Sequence, residues 1–70
     1  MHERLEAHFE NRVYYFYLES QSDDEIFIRM YKTPYLFIKH NKTWINATSN
    51  KMAMADGLIE AVVKAISEAS

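Results

Sequence analysis

The sequence predicts an α+β domain: an antiparallel sheet of three to four strands with an amphipathic C-terminal helix packed on one face. All but one of the aromatic residues lie between residues 13 and 45, where they alternate with aliphatic residues at the spacing typical of strands. After residue 50 the apolar residues instead recur every three to four positions, as on a helix. The chain has 70 residues, 49% of them hydrophobic, with one glycine and one proline, which indicates one small ordered domain.

We therefore expect residues 1–70 to form a single domain with an N-terminal segment 1–12, a sheet 13–47 and a helical segment 50–69. Residues 2–12 fit two patterns. Leu5, Phe9 and Val13 recur at helical spacing, and Glu, Arg, Leu and Ala favour helices. Leu5, Ala7 and Phe9 also alternate with polar residues, as on a strand. We predict a short N-terminal helix, with a strand as the alternative.

Four segments predict strands because they are rich in aromatic and β-branched residues: 13–19, 26–32, 35–40 and 43–47. Thr33-Pro34 is expected to interrupt the sheet, since proline has no N–H to donate to a strand ladder. Asn41-Lys42 is expected to form a two-residue hairpin turn, because asparagine tolerates the left-handed conformation.

The final helix is predicted from about residue 51 to residue 68. Thr48, Ser49 and Asn50 are candidates for its N-cap, because their side chains can accept hydrogen bonds from the first turn. Its apolar stripe consists of Ala55, Leu58, Ile59, Val62, Ala65, Ile66 and Ala69. Gly57 falls on the polar side, where glycine costs about 1 kcal/mol relative to alanine. Nothing in the sequence explains its presence.

The predicted hairpin at Asn41-Lys42 pairs His40 with Thr43. If the alternation of side chains continues through the bend at Thr33-Pro34, each residue of the sheet can be assigned to one of its two faces. One face is then mostly aliphatic and suits burial under the helix: Tyr14, Phe16, Leu18, Ile26, Ile28, Met30, Leu36, Ile38 and Ile45. The opposite face is aromatic with two cations: Tyr15, Tyr17, Phe27, Arg29, Tyr31, Tyr35, Phe37, Lys39 and Trp44. A slip of one residue at the proline would mix the two sets.

One helix covers one face, so we expect the aromatic face to be exposed. Soluble monomers rarely expose a contiguous apolar patch of this kind, and aromatic residues and arginine are enriched at protein interfaces. We therefore predict that these nine residues form an interface. A second copy of the chain is the first candidate, since two-fold dimers are the commonest oligomers, and a foreign protein is the second. The predicted function is that of a small homodimeric regulatory or adaptor protein.

The charge distribution supports an alternative partner, a nucleic acid. The net charge is −2, but residues 1–25 hold seven acids against two bases and residues 26–55 hold five bases and no acid. The candidate contacts with nucleic acid are Arg29, Lys32, Lys39, Lys42 and Lys51. Aromatic residues interleaved with cations on an open sheet can stack bases and neutralise phosphates.

A second version of this alternative uses the predicted order of helix, strands and helix, which resembles a double-stranded-RNA-binding domain in length and layout. That domain has a lysine cluster at the start of its last helix. Only Lys51 stands at this place here, so the match to the motif is poor.

Other classes are disfavoured by what the sequence lacks. The chain has no cysteine, and His2, His8 and His40 are too scattered for a metal motif. The single glycine argues against a phosphate-binding loop. No apolar run approaches the length of a membrane span, and no secretory pattern is seen at the N-terminus. We expect no enzymatic activity, cofactor, metal or membrane insertion, and a cytoplasmic location.

Overall fold

The computed structural model describes residues 4–69, which form one five-stranded antiparallel sheet followed by one helix. The elements are β1 (Arg4–Phe9), β2 (Arg12–Gln21), β3 (Glu25–Met30), β4 (Thr33–His40), β5 (Thr43–Asn46) and α1 (Asp56–Ala69). Consecutive strands are neighbours throughout the sheet, in the order β1-β2-β3-β4-β5. The predicted α+β class is confirmed, and the number of strands is corrected from three or four to five.

The N-terminal segment is a strand, so the predicted helix over residues 2–12 is wrong; residues 2 and 3 of that segment lie outside the described residues. Residues 4–9 form a strand although their apolar residues also fit helical spacing, because β1 pairs with β2 along its whole length. This pairing buries Ala7 completely. Leu5 packs beside Ala7 against the core cluster. The layout of helix, strands and helix on which the likeness to a double-stranded-RNA-binding domain rested is therefore not formed.

Three of the four hairpins turn on two residues that both have positive φ, which is the type I′ geometry that matches the twist of the strands. The turn residues are Glu10-Asn11, Tyr31-Lys32 and Asn41-Lys42, with φ values between 50° and 67°. None of the six is glycine. The turn predicted at Asn41-Lys42 is confirmed with its register, since His40 pairs with Thr43 and Ile38 with Ile45.

The turn between β3 and β4 lies two residues earlier than predicted, at Tyr31-Lys32 rather than at Thr33-Pro34. Met30 pairs with Thr33 directly across it, and Pro34 belongs to β4 opposite Arg29. The strand tolerates this proline because the backbone of Leu36, two residues on, bonds towards Ala47 and Asn50 on the β5 side. The backbone nitrogen of Pro34 faces the same edge of β4. It lies beyond the last residue of β5, so no strand of residues 4–69 is present there to accept a hydrogen bond from an N–H.

The two-residue turn also exchanges the predicted faces of β4 and β5, because it pairs even-numbered Met30 with odd-numbered Thr33, whereas the prediction kept even-numbered residues on one face through the bend. Tyr35, Phe37 and Trp44 point towards the helix, whereas Leu36, Ile38 and Ile45 point away from it. The predicted assignments of β2 and β3 are confirmed, since Phe16, Ile26, Ile28 and Met30 are all buried.

The helix begins at Asp56, five residues later than predicted, and none of the three predicted N-cap residues caps it. The first helical hydrogen bond runs from the N–H of Ile59 to the carbonyl of Ala55. Two asparagine side chains hold the preceding segment in another conformation. The amide of Asn46 bonds to the N–H and carbonyl of Met54, both at 2.9 Å, which places the Met54 side chain in the core.

The second asparagine anchors the same segment to the sheet. Asn50 accepts a hydrogen bond from the N–H of Leu36 at 2.8 Å and donates one to the carbonyl of Leu36 at 2.9 Å. Asn50 also donates to the side-chain oxygen of Asn46 at 3.3 Å. The two amides thus provide partners for the N–H of Leu36 and for both backbone groups of Met54, whereas the carbonyl of Leu36 also accepts a hydrogen bond from the N–H of Ala47 at 2.9 Å.

The helix lies across the concave side of the curled sheet, in contact with β1 at one edge and β5 at the other. Ile59, Val62 and Ile66 form its buried face and join residues of β1 to β4 in one cluster. Within residues 4–69, no helix combines the length and apolarity needed to cross a bilayer.

Gly57 sits where β1 meets the start of the helix. A Cβ atom built at Gly57 would lie 2.4 Å from a ring carbon of Phe9, which is far closer than a van der Waals contact. Phe9 packs directly on the backbone of the first helical turn, so the requirement for glycine comes from this close approach.

Candidate functional site

The outer face of the sheet, which is the side turned away from α1, has no helix or strand of the described residues packed over it. Its residues follow from the strand pairing and the alternation of side chains. They are Arg4, Glu6, His8, Val13, Tyr15, Tyr17, Ser20, Glu25, Phe27, Arg29, Pro34, Leu36, Ile38, His40, Thr43 and Ile45. The inner face, which packs against α1, holds the buried residues of the core.

The structure divides the nine residues predicted to share one exposed face. Five lie on or beside the outer face: Tyr15, Tyr17, Phe27, Arg29 and Tyr31. The other four lie on the strands in register with the inner face: Tyr35, Phe37, Lys39 and Trp44. Phe37 is fully buried, and Tyr35 and Trp44 pack against the core cluster. These four residues lie on the inner side because the two-residue turn at Tyr31-Lys32 pairs Met30 with Thr33, which places odd-numbered residues of β4 on the same face as even-numbered residues of β3.

The outer-face aromatics gather in a cleft, which we call the tyrosine–arginine cleft. It has a volume of about 320 Å³ and is lined by Arg4, Tyr15, Tyr17, Arg29, Tyr31 and Lys32. Cross-strand pairing builds its floor, because Tyr17 lies between Arg4 on β1 and Arg29 on β3. The side chain of Tyr31 closes one end, where its hydroxyl oxygen accepts a hydrogen bond from the N–H of Tyr15 at 3.2 Å.

The electrostatics of this cleft are positive although the chain is acidic overall. The guanidinium carbon of Arg4 lies 4.6 Å from the centroid of the Tyr15 ring, within cation–π distance. Arg29 forms an ion pair with Glu19 at 3.7 Å. Within residues 4–69, no carboxylate lies at ion-pair distance from Arg4 or Lys32. The cleft can therefore accept an anionic group.

A second part of the outer face, the apolar patch, consists of Phe27, Leu36, Ile38 and Ile45. Phe27 and Leu36 pair directly across β3 and β4, as do Ile38 and Ile45 across β4 and β5. Ile45 is 36% exposed, and the other three are half-buried. This patch adjoins the tyrosine–arginine cleft through Phe27 and Arg29, which alternate along β3.

The five cations proposed as nucleic-acid contacts do not form one surface. Arg29 and Lys32 line the cleft. Lys39 lies 5.7 Å from the ring of Trp44, and Lys42 is in the turn between β4 and β5. Lys51 flanks a shallow groove next to Phe27 and Leu36. The structure thus brings two of the five cations together, Arg29 and Lys32.

Sequence reasoning missed Arg4 and the aliphatic residues of the outer face, Leu36, Ile38 and Ile45. The alternation of Leu5, Ala7 and Phe9 is the signal that could have placed Arg4 on a strand. The turn at Tyr31-Lys32 offers no such signal, because neither residue type is typical of a type I′ turn.

Comparisons of this chain with protein-family models, with curated proteins and with solved structures found no match. In residues 4–69, no group of three or more histidine and carboxylate side chains is arranged to hold a metal ion.

Proposed function

We propose that this protein is a small, cytoplasmic, non-enzymatic interaction module that forms a homodimer through the outer face of its sheet. The observation that carries the proposal is the apolar character of a face over which no helix or strand of residues 4–69 packs. Residues 49–51 border this face beside Phe27, Pro34 and Leu36. Tyr15, Tyr17 and Ile45 are 38%, 41% and 36% exposed. Ile45 pairs with half-buried Ile38 in the apolar patch, and the two tyrosines lie in the cleft beside that patch.

The composition of the outer face supports a protein partner. Tyrosine, phenylalanine and arginine are the residue types enriched at interface cores and hot spots, and lysine and acids are depleted there. The centre of the outer face holds Tyr17, Phe27, Arg29 and Leu36, whereas Glu6, His8 and Glu25 lie towards its rim. This is the arrangement of an apolar centre with a polar border.

The size of the surface also suits a second copy. The chain measures 28 × 25 × 23 Å, so one whole side is of the order of the ~800 Å² that each partner buries in a stable complex. A smaller contact would leave part of the apolar face in water. Two sheets packed face to face would cover both outer faces at once.

The test is the oligomeric state of the purified chain, measured by sedimentation equilibrium from low to high micromolar concentration. We expect the wild type to be dimeric and Ile45→Asp to be monomeric, because a carboxylate on the apolar patch is desolvated on association. Met52→Asp is the matched control, since Met52 is 60% exposed but lies outside the sheet. A wild type that stays monomeric over this whole range would contradict the proposal.

A second candidate function, binding of single-stranded nucleic acid, is favoured by the tyrosine–arginine cleft. Its three cations could neutralise phosphates while its tyrosine rings stack on bases. A fluorescently labelled single-stranded RNA would then bind with an affinity that falls with salt, with a log–log slope of about −2 for three phosphate contacts. Arg29→Glu should abolish this binding and Lys64→Glu, on the exposed side of α1, should not. Equal binding by both variants would exclude the cleft.

A further inference from the structure

The outer face of β3 carries an acid, an aromatic residue and a base in succession. Glu25, Phe27 and Arg29 alternate with the buried residues of this strand, and Glu25 and Arg29 are exposed. Alternate residues on a strand lie about 6.8 Å apart on the same face. The two charges therefore lie on opposite sides of Phe27 at nearly equal distances.

The same polarity continues beyond both ends of the strand. The loop that precedes Glu25 contains Asp23 and Asp24, both exposed. The turn that follows Met30 contains Lys32, which lines the tyrosine–arginine cleft. The outer face thus has an acidic end at the β2–β3 loop and a basic end at the β3–β4 turn.

We propose that two copies pack their outer faces about a two-fold axis that crosses β3 at Phe27, so that Arg29 of each copy faces Glu25 of the other. This arrangement rests on the proposed homodimer. A two-fold interface uses the same patch of both copies. Rotation about an axis that lies in the interface and runs perpendicular to β3 places the two β3 strands over each other in opposite directions. The acidic loop of one copy then lies over the basic end of its partner's cleft.

The charges discriminate between this orientation and the alternative one. A two-fold axis parallel to β3 would place Arg29 over Arg29 and Glu25 over Glu25 of the second copy. Like charges brought together at an interface are strongly unfavourable. The perpendicular axis removes both repulsions and replaces them with two attractive pairs.

The apolar residues suit the same axis. Phe27 and Leu36 are cross-strand neighbours, so an axis through Phe27 that runs across the strands also passes close to Leu36. Each of these residues would then pack against its own counterpart, in the part of the interface most remote from water. The ion pair of Arg29 with Glu19, in which the Arg29 side chain is 48% exposed, leaves donors of the guanidinium accessible to a second carboxylate.

The experiment reverses each charge alone and both together, and follows dimer dissociation by sedimentation equilibrium. Glu25→Arg and Arg29→Glu each create two like-charge contacts in the dimer, so each should weaken association about tenfold or more. The double variant E25R/R29E restores both pairs with exchanged signs, and should return the dissociation constant to within a few-fold of the wild type. Glu60→Arg and Lys64→Glu, both exposed on α1, make the same changes in net charge and should have no effect. Circular dichroism checks that every variant is folded.

The outcomes separate this inference from the proposed function. If the wild type dimerises and the single reversals dimerise equally well, or the double variant is as weak as the single ones, the orientation is wrong and the homodimer stands. If the wild type is monomeric at every concentration, both proposals fail. Binding of RNA by a strictly monomeric wild type, lost in Arg29→Glu, would assign the cleft to nucleic acid instead.

Discussion

The two faces of this sheet contain similar aromatic residues in different environments. On the inner face, Phe16 and Phe37 are fully buried in a cluster closed by α1 and Met54. On the outer side, Tyr17 and Tyr31 are 41% and 63% exposed. The difference teaches that aromatic content alone does not identify an interface. The register of each strand decides which aromatic side chains stabilise the fold and which are available to a partner.

Polar groups are also distributed differently over the two sides. No polar or charged residue of the described part is buried, and none of its buried side-chain nitrogen or oxygen atoms lacks a hydrogen-bond partner. On the outer face, the charged side chains of Arg4, Arg29 and Lys32 line the cleft that contains the tyrosines. The inner face thus stabilises the fold, whereas no helix or strand of residues 4–69 packs over the outer face.

The largest expected effect distinguishes the two faces directly. Phe37→Ala should lower the free energy of unfolding by about 3–5 kcal/mol, because it leaves a cavity in the closed core. Tyr17→Ala should lower it by about 1 kcal/mol or less, since a half-exposed cross-strand contact is lost. Urea denaturation of both variants measures the difference. Similar losses would mean that the outer face is as essential to the fold as the inner one.

The next effect concerns the segment that closes the inner face beside β5. Asn50→Ala removes three hydrogen bonds to Leu36 and Asn46 and leaves the part-buried N–H of Leu36 unpaired, whereas the carbonyl of Leu36 keeps its bond from the N–H of Ala47. We expect a loss of about 2–3 kcal/mol in the free energy of unfolding. Ser49→Ala, at the exposed neighbouring position, should change it by less than about 0.5 kcal/mol. Equal stabilities of the two variants in urea would show that the amide bridge is unimportant.

A smaller effect is expected where α1 meets β1. Gly57→Ala should destabilise the protein by about 1–2 kcal/mol, because displacing the Phe9 ring outweighs the gain in helix propensity. In a Phe9→Ala background the obstacle is absent, so the same substitution should be neutral or stabilising. A double-mutant cycle by thermal denaturation measures this change of sign. Purely additive effects would refute the steric role of the glycine.

The smallest expected effect concerns the two-residue turns, which set the register of the strands and therefore which side chains lie on each face. Lys42 has a φ of 66°, which is unfavourable for a residue with a Cβ. Lys42→Gly creates the Asn-Gly pair preferred in type I′ turns and should stabilise the fold by about 0.5–1 kcal/mol. Lys51→Gly, outside the left-handed region, should be neutral or destabilising. A destabilised Lys42→Gly in urea denaturation would contradict this account of the turn.

Several features of the fold could be predicted because they depend on local patterns. Side-chain period predicts the four strand segments after residue 12 and the presence of the final helix, and one turn residue with a known preference predicts the register of the Asn41-Lys42 hairpin. The strand β1 was predicted as a helix. The site was predicted less well. Five of its nine proposed residues lie on or beside the outer face, and these come from β2, β3 and the turn that ends β3.

The errors share a physical origin in contacts between distant residues. Nothing local distinguishes Tyr31-Lys32 from the strand before it, and the two-residue turn there, which pairs Met30 with Thr33, exchanged the expected faces of β4 and β5. The late start of α1 depends on the amides of Asn46 and Asn50, which bond to Met54 and Leu36 across the fold. Neither the turn nor these hydrogen bonds can be predicted from the spacing of residue types along the sequence.

The sequence by itself determined that this chain has more apolar strand surface than one helix can cover, because the alternation of aromatic and aliphatic residues makes both faces of the sheet apolar in any register. Only the tertiary structure decided which side chains form each face, because that depends on where the backbone turns and on where distant hydrogen bonds hold it. The same folding brought Arg4 from the first strand beside Arg29 and Lys32, and so created a positive cleft in an acidic protein.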